Sequence, residues 1–152
     1  MQNNYQLTNV INEINNSKDV VFTNGVFDLL HVGHVRYLNE AKNLGNILVV
    51  GMNSDNSVKK IKGPSRPINS LEDRAKILLA LKSVDCVVSF DDETPLNLIK
   101  KIMPDILVKG GDYTIEDIVG HKEVLENGGL VKSLPFHEGY SSTQFINQIK
   151  KQ

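Results

Sequence analysis

The chain has 152 residues, long enough for one domain with a real core, and its 40% hydrophobic and 23% charged residues are ordinary globular usage. A net charge of −1 leaves no broad basic field to hold nucleic acid or an anionic membrane. One cysteine excludes an internal disulfide, four histidines without a Cys-x-x-Cys pattern argue against a structural zinc site, and no apolar run is long enough to span a membrane.

Residues 1–18 form an Asn-rich, polar and helical lead-in with no signal-peptide core, so the chain reads as soluble and cytoplasmic. A short apolar run at 20–23 predicts the first strand, and 31–44 the first helix, closed by Gly45. The continuous apolar run 47–52 fits a strand buried on both faces. Residues 53–69 read as a polar loop carrying Lys59, Lys60, Lys62 and Arg66, with Gly63-Pro64 and Pro67 as turn signals. A helix follows over 71–82, with Ser70 as N-cap and Asp73 at the capping-box position.

The third strand is expected at 85–89, where Cys86 reads as a small buried hydrophobe. Thr94-Pro95 caps and opens a helix to about Met103, and a strand at 106–109 ends in Gly110-Gly111-Asp112. A weaker helix at 121–126, a strand at 130–134 and a last helix at 142–150 complete the chain. Strands separated by helices imply an α/β fold, a Rossmann-like parallel five-stranded sheet with helices on both faces. Ligands bind such sheets beyond the carboxyl ends of the strands, where strand order reverses. The loops after each strand, 24–34, 53–69, 109–112 and 138–143, therefore gather at one end.

The stretch from Asn24 to His34 (Asn-Gly-Val-Phe-Asp-Leu-Leu-His-Val-Gly-His) carries the most chemistry. His31 and His34 stand three apart at a helix start, on one face of its first turn. That end of a helix offers unpaired N–H groups and the positive end of the dipole, so it attracts phosphate. Gly33 removes a side chain where phosphate needs close approach. Ser141-Ser142-Thr143, after Glu138-Gly139, sets hydroxyls at a second helix start; simple N-capping accounts for one of the three. Lys62 and Arg66, on a loop stiffened by prolines, can reach polyphosphate oxygens through charge-assisted bonds worth roughly 1.5–3 kcal/mol each.

Lys109, at a strand end beside two glycines, points into the same cleft. Asn53-Ser54-Asp55 either touches a ribose or only turns the chain, and His121 and His137 read as surface or loop histidines. Phe136 and Tyr140 either pack near a base or fill the core. The chain has no Walker loop and no G-x-G-x-x-G fingerprint at the first strand turn.

Gly25-Val-Phe-Asp-Leu-Leu-His-Val-Gly-His34, with Ser141–Thr143 opening the final helix, resembles the cytidylyltransferase-like nucleotidyltransferase superfamily from Val20 to the C-terminus. More narrowly, Phe22-Thr-Asn-Gly25, Asn53-Ser-Asp55, Lys62-Gly-Pro-Ser-Arg-Pro67, Val84-Asp85, Val88-Ser-Phe90, Thr94-Pro95 and Pro104-Asp-Ile-Leu-Val-Lys-Gly-Gly-Asp-Tyr113 resemble the heptose 1-phosphate adenylyltransferase unit of bacterial ADP-heptose synthesis. In many bacteria that unit follows a sugar kinase in one bifunctional protein; residues 1–152 hold no kinase half, so they read as a stand-alone version or an isolated domain. Cytidylyltransferases for glycerol phosphate and choline phosphate carry Arg-Tyr-Val-Asp-Glu-Val and Arg-Thr-Glu-Gly. Here Lys82-Ser-Val-Asp-Cys-Val87 and Phe136-His-Glu-Gly139 stand instead, and the loss of both arginines favours ATP over CTP.

The resemblance implies transfer of AMP from ATP to a sugar 1-phosphate, giving an ADP-sugar and pyrophosphate for lipopolysaccharide or other surface-glycan precursors. It assigns catalysis to His31, His34 and Lys109. Nucleotide and phosphate binding fall to Thr23, Asn24, Gly25, Val26, Phe27, Gly33, Lys62, Arg66, Gly110, Asp112, Ser141, Ser142 and Thr143. Lys109 is left open between the sugar phosphate and the nucleotide. Mg²⁺ is expected on ATP oxygens and water, with no protein metal ligand. The implied partners are small molecules and a heptose kinase, and family members often pair, which allows a homodimer. A cytidylyltransferase for a small alcohol phosphate is the alternative enzyme. A silent nucleotide-binding module is the alternative of another class, and the intact histidines, lysines and hydroxyl run argue against it.

Overall fold

A computed structural model describes residues 6–15, 17–135 and 141–151. Five strands, β1 (Val20–Gly25), β2 (Ile47–Asn53), β3 (Cys86–Phe90), β4 (Ile106–Gly110) and β5 (Leu130–Leu134), form one parallel sheet in the order β3-β2-β1-β4-β5. The expected α/β class, strand number and orientation are those observed.

Side chains alternate along each strand, so the sheet has two cores. On one face Val21, Leu48, Val50, Val87 and Val108 pack with α2 (Val32–Lys42) through Leu38 and Ala41, and with α4 (Leu71–Leu79) through Ala75 and Leu78. On the other, Val20, Phe22, Val49, Val88 and Leu107 pack with α5 (Leu96–Ile102) and α6 (His121–Glu126). That face also takes α1 (Leu7–Ile14), through buried Val10 and Ile14, so the lead-in is an amphipathic helix that closes the core. A one-residue slip of β1 would exchange the two sets, which is what fixes its register. Gly51 belongs to the same packing: a Cβ there would fall 2.6 Å from the ring of Phe22.

The polar loop expected at 53–69 contains a helix, α3 (Asp55–Lys62). Ser54 caps it, accepting the Ser57 N–H at 3.1 Å, and Lys59, Lys60 and Lys62 fall in its last turn, where cations complement the dipole. Only Ser57 and Val58 are buried on it, so the sequence lacks a helical apolar stripe. The helix expected at 71–82 ends at Leu79, and α5 starts after Pro95 with no side-chain cap from Thr94. Helix α7 spans Ser142–Lys150 as expected.

The register opens the site. β1 pairs with β2 along its whole length, from Val20↔Ile47 to Gly25↔Met52. With β4 it pairs only at Val21↔Ile106 and Phe22↔Leu107. Strand order reverses at this junction, and the two strands part beyond it toward their carboxyl ends.

Candidate active site

The cleft of about 610 Å³ at this parting is lined from four directions. The end of β1 and the loop after it bring Asn24, Gly25, Val26, Phe27 and Asp28; the start of α2 brings His31, Gly33 and His34. Lys62 and Arg66 reach it from the end of α3 and beyond, Lys109 and Gly110 from the end of β4, and Ser141, Ser142 and Thr143 from the start of α7. Two sequence-derived candidates lie outside the lining. Thr23 is fully buried, with its hydroxyl 2.6 Å from that of Tyr37, and Asp112 is exposed beyond the β4 loop.

His31 is the N-cap residue of α2, and its backbone N–H donates to His34 Nδ1 at 3.3 Å. The accepting Nδ1 places the proton of a neutral His34 on Nε2. The two rings stack with centroids 3.8 Å apart and planes 25° apart. Burial, then the neighbouring His31, pulls His34 down to about 4. Burial alone lowers His31. Both rings are therefore neutral at neutral pH, each with one N–H to donate.

Phe27 packs on His34 at 5.4 Å with a tilted ring. Its φ of 49° lies in the left-handed region, which costs a bulky residue about 1–3 kcal/mol and persists only where packing holds it. Here the ring is 6% exposed.

Arg66 reaches the cleft because Asp28 holds it. The carboxylate of Asp28 accepts Arg66 Nε at 2.6 Å and the N–H groups of Ile68 and Asn69 at 2.9 Å. Burial raises its carboxyl, but the Asn69 and Ile68 N–H bonds and Arg66 outweigh it and leave it below the ordinary value. Arg74, 0% exposed, does the same work one layer deeper. It donates to Val26 O at 2.7 Å, Asn53 O at 2.9 Å, Asn69 O at 3.2 Å and Asp55 Oδ1 at 2.7 Å. Asn53-Ser54-Asp55 is thereby structural: Asn53 donates to Ser57 Oγ, Ser54 caps α3, and Asp55 pairs with Arg74.

Lys109 donates to Asn24 Oδ1 at 3.4 Å, and burial lowers its pKa. No carboxylate pairs with it among the described residues. Ser142 Oγ donates to Leu29 O at 2.8 Å, which pins α7 to the histidine loop, while Ser141, the N-cap, makes no side-chain cap bond. Tyr37, Pro135 and Gln144 also line the cleft and carry no signal in the sequence beyond their residue type, and Tyr113 lines it from the end of the Pro104–Tyr113 segment.

Away from the cleft, His121 Nδ1 lies 2.8 Å from Ile118 O. Cys86 is buried, and burial first, then Glu13, pushes its thiol up to about 12. Phe136, His137, Glu138, Gly139 and Tyr140 lie outside the described residues.

Residues 22–148, which include every lining residue, match the family model described as Cytidylyltransferase-like. The chain belongs to this family of nucleotidyltransferases. The cytidylyltransferase-like chain is 57% identical over 132 residues to Bifunctional protein HldE of Proteus mirabilis, covering 87% of this chain and 28% of that protein. With Bifunctional protein HldE of Syntrophotalea carbinolica it shares 56% over 132 residues, 87% of this chain and 27% of that protein. It thus spans little more than a quarter of these relatives' length. The crystal structure of the lipopolysaccharide core biosynthesis protein from Thermoplasma volcanium is 30% identical, with a TM-score of 0.63, covering 80% of this chain and 98% of that one. A cytidylyltransferase-like cleft of this composition can grip phosphates from several sides. Neutral imidazoles can donate hydrogen bonds, and Lys109 and the Asp28-paired Arg66 are the cations that line it beside Lys62.

Proposed function

We propose that the chain transfers AMP from ATP to a sugar 1-phosphate, D-glycero-D-manno-heptose 1-phosphate, giving ADP-heptose and pyrophosphate. The observation that carries this reading is that the described residues of the cleft offer donors and cations but no available carboxylate. Its one carboxylate among the described lining residues, Asp28, is already held by Arg66, Ile68 and Asn69. Such a site suits an acceptor that arrives anionic, a phosphate monoester, because alignment and charge stabilisation are then the whole task.

His31 and His34 donate to the α-phosphate and the oxygen bridging it to the leaving group. Arg66, Lys62 and the start of α7 hold the departing pyrophosphate. Lys109 holds a phosphate oxygen of either substrate. Among the described residues no group of three carboxylates, histidines or cysteines is placed to hold a metal. Mg²⁺ is expected on the nucleotide oxygens and water, and no role above rests on it.

The segments that resemble heptose 1-phosphate adenylyltransferases support a heptose, with a sugar kinase as the source of its phosphate, and relatives named bifunctional fit a second activity beside this one. Residues 1–152 are read as one nucleotidyltransferase domain acting in the cytoplasm and able to pair as a homodimer. No helix among the described residues is long and apolar enough to cross a membrane. Pyrophosphate release with ATP and with CTP, each against heptose 1-phosphate and glycerol 3-phosphate, tests the reading. ATP with heptose 1-phosphate should be fastest. CTP with glycerol 3-phosphate as the fastest pair would replace it with the cytidylyltransferase reading, and nucleotide binding without release by any pair would leave a silent module.

A further inference from the structure

Tyr37 stands one turn after His34 on the same face of α2, and both line the cleft. Its hydroxyl lies 2.6 Å from Thr23 Oγ1 on β1 and donates to Val108 O on β4 at 3.4 Å. A phenol has one proton, so with that proton on Val108 the Thr23 hydroxyl donates to Tyr37. The chain Thr23–Tyr37–Val108 crosses the junction just where β1 and β4 stop pairing, one residue past Phe22↔Leu107.

Gly110 meets Tyr37 twice, its backbone at the hydroxyl and its bare Cα at the ring. A Cβ on Gly110 would fall 3.0 Å from the ring carbon Cε2. Burial pushes the phenol up to about 12, so it stays a neutral donor wherever the protein is folded.

We propose that Tyr37 is a positioning residue. Its hydroxyl bridges the parted ends of β1 and β4, fixing the width of the cleft and the rotation of α2, and so aims His34. Two consequences follow from the geometry. The bridge sets the distance from the histidine pair to Lys109, which sits one residue beyond Val108. It also keeps His34 Nδ1 under the His31 N–H, and so keeps the His34 proton on Nε2, facing the cleft. Thr23, absent from the lining, acts through the same bridge and not on the nucleotide.

The turnover part of the test rests on the nucleotidyl-transfer reading; the tautomer part does not. Tyr37→Phe keeps the ring against Gly110 and removes the bridge, and Thr23→Val cuts its other end with little change of shape. With ATP and heptose 1-phosphate, each should lower kcat about tenfold while the KM for ATP changes less than about threefold, and the double variant should be no worse than either alone. Imidazole nitrogen–proton NMR of the free protein should show His34 protonated at Nε2 in the parent and a second tautomer in both variants. An unchanged His34 tautomer in the folded variants overturns the proposal whatever the turnover. So does a loss that is additive in the double variant. If Tyr37→Phe does not fold, Thr23→Val gives the same two readouts. Failure of the parent to turn over any sugar phosphate would count against the proposed function and leave the tautomer test to decide on Tyr37.

Discussion

The imidazoles of His31 and His34 stack at 3.8 Å, and the backbone N–H of the first caps the ring of the second at 3.3 Å. The pair is therefore a single unit, both rings held neutral by burial and His34 also by the neighbouring His31. Removing one donor from such a site typically costs about 10²–10³ in kcat, or roughly 2.7–4 kcal/mol. His31→Ala and His34→Ala should each show that loss with folding intact by circular dichroism. Adenylyl transfer within about fivefold of the parent in both variants would remove histidine donors from the mechanism.

His34 also makes stability depend on pH with a definite sign. Its pKa is about 4 in the fold against an ordinary 6.5, so as pH falls the unfolded chain takes the proton first. The contribution of the neutral ring is complete above about 6.5 and is lost progressively as pH drops toward about 4. Urea midpoints measured at about pH 7.5 and about pH 5 should fall with acid, and fall less in His34→Gln. An equal fall in both proteins would show that the ring is not held neutral.

Asp28→Asn removes the charge that draws Arg66 to the cleft, leaving one amide oxygen where two carboxylate oxygens took Arg66, Ile68 and Asn69. Hydrogen bonds to a charged group are worth about 1.5–3 kcal/mol, and a loss of that size is expected in urea unfolding. The KM for ATP should rise as well, because the loop that carries Arg66 is no longer tied down. A variant that loses stability but keeps its KM would separate Arg66 from nucleotide binding.

Arg74 presents the same architecture in a deeper layer. The rigid fork of its guanidinium serves carbonyls from Val26, Asn53 and Asn69 together with Asp55. A lysine cannot reproduce that fork, and each buried carbonyl left unpaired costs about 1–3 kcal/mol. At roughly 2–4 °C per kcal/mol for a chain of this size, a loss of about 2 kcal/mol in Arg74→Lys should lower Tm by roughly 4–8 °C. A Tm within about a degree of the parent would mean that the cradle rearranges around the smaller cation.

These two residues mark what the sequence does not reveal. The strands were legible because their apolar runs are continuous, and the cleft because the residues after strands must gather at one end of a parallel sheet. His31, His34, Lys109 and Ser141–Thr143 could be placed by that rule alone. Asp28 and Arg74 could not: Asp28 meets Arg66 from 38 residues away, and Arg74 meets Val26 from 48 residues away. Helix α3 escaped because its buried side is only Ser57 and Val58, so its three lysines read as a loop. Thr23, expected at the nucleotide, lies outside the cleft lining with its hydroxyl against Tyr37. A strand-end hydroxyl faces either the ligand or the neighbouring helix, and only the position of Tyr37 decides between them.

The same pKa shift that makes His34 a donor makes it a poor base. A general base works best with a pKa near the pH of the reaction, and His34 lies at about 4. Asp28, the one carboxylate among the described lining residues, is held lower still by Ile68, Asn69 and Arg66 than a free carboxyl would be. Lys109 is half-buried and pairs with no carboxylate among the described residues, which suits a cation that would take an anion. Among the described lining residues, His34 and Asp28 are poorly suited to take a proton from a neutral hydroxyl, and a phosphate monoester has no proton that needs taking. Replacing the sugar 1-phosphate by the free sugar should therefore abolish product, measured as nucleotide sugar by anion-exchange chromatography, at every pH from about 6 to about 9. A rate with free sugar comparable to that with the phosphate would reveal a base, and would require one histidine to regain an ordinary pKa once substrate is bound.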